Sequence, residues 1–237
     1  LRNKIYGLQY SKFIDKFISV SQYSQNALLK DFGSILRKKI VVVHNGIKLN
    51  IYRQKTKYQI PARSFIVTSH LRKEKGIQDV IKAVKSLKKS GFPSFKIDIY
   101  GEGPFETELK KMVKDANLNS YIRFMGSSSR LHELYAFYDY LIQPSYGETF
   151  CFSIVESLAS KLPVITTVNI GNVLGLVKDG KNGFLYDVEE TVELKIILEN
   201  LIHGKLTIQN SSYNNYSVEN FSLEKMVSEH IKQLPCI

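Results

Sequence analysis

From about residue 64 the apolar and polar positions alternate between two periods. Short runs rich in β-branched and aromatic residues predict strands: "FIVTS" at 65–69 with Ser64 leading, "FKIDIYG", "YIRFMG", "DYLIQPS", "PVITT" and "GFLYD". Between them the period turns helical. Ile77, Val80, Ile81, Val84 and Leu87 fall at i, i+3, i+4, i+7 and i+10, and Phe105, Leu109, Met112, Val113 and Ala116 repeat the pattern, with Pro104 expected in the first turn. Strands alternating with such helices argue for βαβ units, hence an α/β fold class with a doubly wound, Rossmann-like parallel sheet. The first 45 residues predict a helix through "KIYGLQYSKFI", a strand in "KFISVS", a second helix near "QNALLKDF" and a strand in "KIVVVHNGI". Two strands are too few for a domain. The expected organisation is therefore 1–48 as the tail of an N-terminal α/β domain and a linker turning at Asn45 and Gly46, 49–205 as the sheet domain, and 206–237 as a polar loop, "QNSSYNNYSVEN", with a terminal helix through "SLEKMVSEHIKQL".

Composition narrows the class. Apolar residues at 43% and charged residues at 23% of 237 are ordinary for a globular chain. No apolar run approaches the ~18 residues that cross a bilayer, and the start lacks a signal-peptide core, so the cytoplasm is the expected compartment. Cys151 and Cys236 are too few for a disulfide framework, and no Cys/His cluster has metal-ligand spacing. The chain begins at Leu1 and its methionines are Met112, Met125 and Met226, so a preceding segment is expected. The net charge of +11 raises a nucleic-acid reading. The cations are scattered along helix-like stretches such as "KAVKSLKK" and "LKKMVKDA" and read as solvated faces; an anionic membrane surface or a diphosphate ligand accounts for the excess as well. No nucleic-acid partner is expected.

Three stretches carry candidate chemistry. In "GETFCFSIVE", residues 147–156, Glu148 and Glu156 stand eight apart. Eight residues of continuous helix rotate by about 800°, so one helix would not aim both acids the same way. A helix starting near Phe152 places Glu148 in a loop at a strand's carboxyl end and Glu156 in the second turn, from which both can reach one ligand. Open α/β sheets bind ligands there, and amides near Phe150 to Ser153 offer an anion seat. The spacing alone fits equally an acid at a positive helix end and an ordinary helix acid. In "SHLRKEKG", residues 69–76, Arg72, Lys73 and Lys75 crowd a helix N-terminus, which a bound anion would favour, and Gly76 allows close backbone approach. "YGEGP", residues 100–104, is a tight turn facing the same crevice; Glu106 stands where a dinucleotide fingerprint needs glycine. "DFG" at 31–33 lacks the rest of a kinase signature. No D-x-D pair occurs, so cations are expected to neutralise a diphosphate without metal, and no cofactor is expected.

These residues, taken in order, resemble the C-terminal half of the GT-B glycosyltransferases of family GT4, glycosyl transferases group 1. The resemblance runs through "SVS", "HNGI", "HLRKEKGIQDVIKAV", "IYGEGP", "IRFMG", "LIQPSYGETFCFSIVESLASKLPVITT" and "GKNGFLY". It implies a retaining, metal-independent transfer of a sugar from a nucleotide-diphosphate sugar to a hydroxyl of a sugar or lipid-linked acceptor. By the same resemblance the catalytic residue Glu148 contacts donor-sugar hydroxyls and helps the transition state, Glu156 holds the ribose, and Lys75 binds the diphosphate. Amides around Phe150, Cys151 and Phe152 face sugar and phosphate, Gly101 and Gly103 lie near, and the base rests near Met125 to Ser127. His70 stands where the family usually has arginine, with Arg72 as a substitute; Cys151 and Lys161 replace usual glycines. An N-terminal acceptor domain, bacterial surface-polysaccharide synthesis and a peripheral contact with the inner membrane face are further implications. The rival is a non-catalytic or split donor-binding subunit that needs a partner acceptor domain.

Overall fold

The structure is a computed structural model that describes residues 9–88, 91, 94–208 and 218–234. Its helices and strands run β1 (Phe17–Ser19), α1 (Gln22–Phe32), β2 (Ile40–Val42), β3 (Ser64–Thr68), α2 (Ile77–Lys88), β4 (Lys96–Tyr100), α3 (Glu106–Asp115), β5 (Ile122–Gly126), α4 (Leu131–Leu134), β6 (Tyr140–Gln143), α5 (Phe152–Ala159), β7 (Val164–Thr167), β8 (Gly183–Tyr186), α6 (Thr191–Ile202) and α7 (Leu223–Ile231). The chain divides into two compact units, one of Leu1–Leu49 with Ser217–Ile237 and one of Asn50–Tyr216.

In the first unit β1 and β2 pair in parallel around α1. The Ser21 side chain accepts from the Ser24 amide and the Ser24 hydroxyl reaches back to the Ser21 amide, which satisfies two orphan donors and starts α1. The Ile47 amide donates to the Phe221 carbonyl at 2.8 Å, and the Leu223 amide to the Ile47 carbonyl at 2.9 Å, so the segment before α7 belongs with this unit. The expected first helix is helical at residues 9 and 10 and continues as a 3-10 turn, Ser11–Phe13. Its earlier residues, and most of "QNSSYNNYSVEN", lie outside the described residues.

The second unit is a parallel sheet of six strands in the order β5-β4-β3-β6-β7-β8, which reverses between β3 and β6. Its central strands are apolar runs because helices cover both faces: β6 and β7 are buried throughout, β3 and β4 in all but their first residue. Phe65, at the centre, stacks on Tyr140 and meets Phe95 edge-on, both with ring centroids 6.1 Å apart. At the edge the pairing of β4 with β5 slips: Ile99 opposes Phe124 but Tyr100 opposes Gly126, so Met125 is the extra residue of a bulge.

Two expectations are corrected. Pro104 lies before α3 and not in its first turn: Phe105 caps the helix, and the Glu106 amide closes a turn onto the Gly103 carbonyl. Helix α6 has no counterpart among the sequence expectations, although Leu194, Leu198, Leu201 and Ile202 are buried at helical spacing and α6 packs on α2. Exposed Val192 and Ile196 blur its apolar stripe. Among the described residues no helix is long and apolar enough to cross a membrane.

The core is rich in tyrosines whose hydroxyls resist ionisation. Burial pushes the phenols of Tyr135, Tyr138, Tyr140, Tyr146 and Tyr186 up from their ordinary value, and that of Tyr58 to about 12. The unfolded chain releases these protons near pH 10 while the fold retains them, so their contribution is intact below about pH 10 and is lost as pH rises further. The urea midpoint is expected to lose a step above about pH 10 that coincides with tyrosinate absorbance. Full tyrosine titration while the sheet remains folded would contradict this.

Candidate functional site

Where the strand order reverses, the connections leaving β3 and β6 run to opposite faces and a crevice opens at the carboxyl ends. The turn after β3 and the turn after β4 lock together: the Ser69 amide donates to the Tyr100 carbonyl at 3.0 Å and the Leu71 amide to the Glu102 carbonyl at 2.9 Å. The glycines of "YGEGP" permit this contact, since a Cβ on Gly101 would lie 1.9 Å from the Ser69 carbonyl oxygen and one on Gly103 2.4 Å from that of Leu71.

The turn after β3 also locks onto the loop after β6. Lys73–Lys75 form one 3-10 turn ended by Gly76 at φ +70, and a Cβ there would stand 1.8 Å from the Pro144 carbonyl oxygen. The Tyr146 amide donates to the Glu74 carbonyl at 2.9 Å, and the Tyr146 hydroxyl donates to Asp79, buried in the first turn of α2. This clamp sets the Lys75 ammonium 2.7 Å from Glu148 Oε1. The same oxygen accepts from the Ser145 hydroxyl at 2.7 Å and from Gln143 Nε2 at 3.1 Å.

Helix α5 begins after Cys151, which holds a left-handed φ of +67. The first-turn amides of Phe152 and Ser153 have no acceptor within the helix, as in any helix start, and carry its positive end. The Ser153 hydroxyl donates to the Thr68 carbonyl at 2.7 Å and pins this start to the end of β3. One turn further, Glu156 Oε2 accepts from the Tyr135 hydroxyl at 2.8 Å. Burial first, then the charge of this carboxylate, pushes the Tyr52 phenol up.

A cavity of about 450 Å³ occupies the crevice. Its wall comes from Thr68, Ser69 and His70 after β3, from Tyr100, Gly101 and Glu102 after β4, from Ser127 and Ser128 after β5, and from Leu131, Ser153 and Glu156. Of the residues singled out by sequence, His70, Gly101, Ser127, Ser153 and Glu156 line it; Lys75 and Glu148 do not, and form the adjoining pair. Cys151 is the neighbour that both groups share. Its buried thiol is pushed up by burial and then by Glu148, with Lys75 acting in the opposite sense and Glu156 adding to the rise. Phe150, buried, and Phe152, half exposed, stack obliquely at 4.9 Å beside the helix start.

Arg72 is exposed and stands 3.8 Å from Glu74, away from the cavity wall. Met125 misses the wall because it is the bulged residue of β5; Gly126, at φ +71, then turns the chain so that Ser127 and Ser128 face inward. Sequence reasoning did not single out Tyr52, Tyr135, Gln143, Ser145 or Glu102. Gln143 and Ser145 flank the quoted "GETFCFSIVE", but nothing in the pattern around Tyr135 separates it from a core aromatic.

The family model described as Glycosyl transferases group 1 matches residues 50–218. A peptide N-acetylglucosaminyltransferase that uses UDP-N-acetylglucosamine, the GtfA subunit of Streptococcus agalactiae, is 31% identical over 189 residues, which are 78% of this chain and 37% of that protein. The chain thus spans well under half the length of that relative. The crystal structure of Anabaena Alr3699/HepE in complex with UDP and glucose superposes with a TM-score of 0.80 at 23% identity, over 98% of this chain and 67% of the other. The pneumococcal O-GlcNAc transferase GtfA in complex with UDP and GlcNAc superposes with a TM-score of 0.73 at 25% identity, over 96% and 46%.

The clamp between the two loops is testable at Gly76. Alanine there carries the left-handed backbone cost and a clash with the Pro144 carbonyl, together roughly 2–4 kcal/mol. Alanine at Gly175, φ +63 with nothing within 4 Å, carries only the backbone cost of about 1–2 kcal/mol. Urea unfolding of Gly76→Ala is expected to show clearly the larger loss; equal losses would mean that the loops do not depend on this contact.

Proposed function

Because the chain belongs to the glycosyl transferases group 1, we propose that its Asn50–Tyr216 unit binds a nucleotide-diphosphate sugar and serves transfer of that sugar, with retention and without metal, to an acceptor hydroxyl. The single observation that carries the reading is the juxtaposition, around Cys151, of a carboxylate in a cavity at the sheet's reversal point with a lysine–carboxylate pair beside a helix start. The relatives' names, with UDP and sugars, point to the same ligand class.

In this reading the nucleoside occupies the cavity. Glu156 accepts from ribose hydroxyls, and Ser127 and Ser128 stand beside the base. The diphosphate runs past His70 and Gly101 to the first-turn amides of Phe152 and Ser153, whose partial positive charge suits an anion. There it competes with Glu148 for the Lys75 ammonium. Glu148 Oε2, which takes none of the three bonds that crowd Oε1, is the oxygen offered to a donor-sugar hydroxyl. When the bond from the anomeric carbon to the phosphate oxygen breaks, the electron pair leaves with the diphosphate. Lys75 and the helix start offset that charge, and the carboxylate of Glu148 stands near the cationic sugar. The acceptor oxygen then bonds to the face that the diphosphate left, and its proton passes to the departing diphosphate oxygen on that face.

A thermal-shift panel of UDP-, GDP-, ADP- and CDP-sugars tests the reading. A donor at a hundredfold its Kd stabilises by about 2.7 kcal/mol, a rise of several degrees for a chain of this size. The rise is expected for one donor class, unchanged by EDTA, and absent in Glu156→Ala and Lys75→Ala when each is compared with its own unliganded midpoint. No shift with any sugar nucleotide would sink the reading, and abolition by EDTA would sink its metal independence.

A further inference from the structure

We infer that Tyr135 is a positioning residue that holds the Glu156 carboxylate in its ligand-binding orientation, and so sets the preference of the cavity for a ribose over a deoxyribose. The inference rests on the reading of the cavity as a nucleotide site.

Glu156 is the last wall residue contributed by α5, and a glutamate there has three rotatable bonds to fix. A phenol does so. The Tyr135 hydroxyl donates to Oε2 at 2.8 Å. Tyr135 is fully buried and its hydroxyl is itself held at 2.9 Å by Thr68 Oγ1. Thr68 is tied in turn through its carbonyl to Ser153. The chain of bonds therefore starts and ends on the cavity wall: Thr68, Ser153 and Glu156 all line it, and Tyr135 links them from behind. A core tyrosine needs one partner for its hydroxyl, and Thr68 supplies that. A second bond to a wall carboxylate goes beyond what burial alone requires.

Burial and the adjacent carboxylate also push the Tyr135 phenol above its ordinary value, so it remains a donor at any working pH. The arrangement spends one carboxylate oxygen on support and aims the rest of the group at ligand hydroxyls, the supporting geometry that a precise binding site requires. A group that discriminates by hydrogen bonding a ligand hydroxyl loses that discrimination when it can swing away.

The experiment uses the full chain and isothermal titration with ADP, GDP, UDP and CDP, then with the 2′-deoxy and 3′-deoxy forms of whichever binds. Wild type is expected to favour the ribonucleotide over at least one deoxy form by roughly tenfold or more, the scale of a hydrogen bond to a charged group. In Tyr135→Phe the ribonucleotide affinity is expected to fall towards that of the deoxy form, while the deoxy form binds as in wild type. Equal weakening of both forms, with the ratio preserved, would mark Tyr135 as merely structural and overturn the inference. Failure of wild type to bind any of the four, or to discriminate at all, would instead overturn the nucleotide reading of the cavity. Should Tyr135→Phe not fold, Thr68→Val, which removes the other hydroxyl bonded to Tyr135, carries the same comparison with the same two outcomes.

Discussion

The site depends on one steric constraint, the approach of the Gly76 backbone to the Pro144 carbonyl. The loops leaving β3 and β6 diverge to opposite faces of the sheet, and nothing in sheet geometry alone would return them to each other. A residue with no Cβ lets the two main chains touch, and the Tyr146 bonds to Glu74 and Asp79 close the contact. Only then does Lys75 meet Glu148. The Lys75–Glu148 pair is thus a consequence of backbone packing, and its charges are arranged before any ligand arrives.

That arrangement divides the work between two neighbouring environments. The cavity wall is mostly hydroxyl and main chain with the acids Glu102 and Glu156, which suits a neutral, hydroxyl-rich group. The Lys75–Glu148 cluster beside the start of α5 suits an anion joined to a polar one. Cys151 stands between them in sequence, and its unusual backbone angle marks the point at which the loop turns into the helix. A ligand that is hydroxylated at one end and charged in the middle matches the order in which the chain presents these surfaces.

How much of this the sequence carried follows from how local each signal is. The six strands, α2 and α5 were readable because their apolar residues are spaced by the geometry of the element itself, and Pro163 marks the end of α5 from within the chain. The clustering of Glu148, Lys75, Gly101 and Glu156 followed from each lying at or just beyond the carboxyl end of a strand. What escaped is non-local. Tyr135 matters through a carboxylate more than twenty residues away in sequence, and a tyrosine in an apolar run looks the same whether its hydroxyl meets a backbone carbonyl or a site acid. Helix α6 escaped for a different reason: its exposed Val192 and Ile196 widen the apolar stripe. Met125 and Arg72 stand outside the cavity wall, the first at a bulge and the second in a surface ion pair.

The slip in register between β4 and β5 has a broader meaning. Side chains on a strand change face with every residue, so the one residue gained at the bulge decides which side of the sheet the chain beyond it addresses. Ser127 and Ser128 stand at the rim because of that single added step, not because of what precedes them in kind. The selectivity of the rim is therefore written partly in strand length: an insertion or deletion of one residue between Ile122 and Gly126 would swap its chemistry while leaving every rim side chain in the gene unchanged.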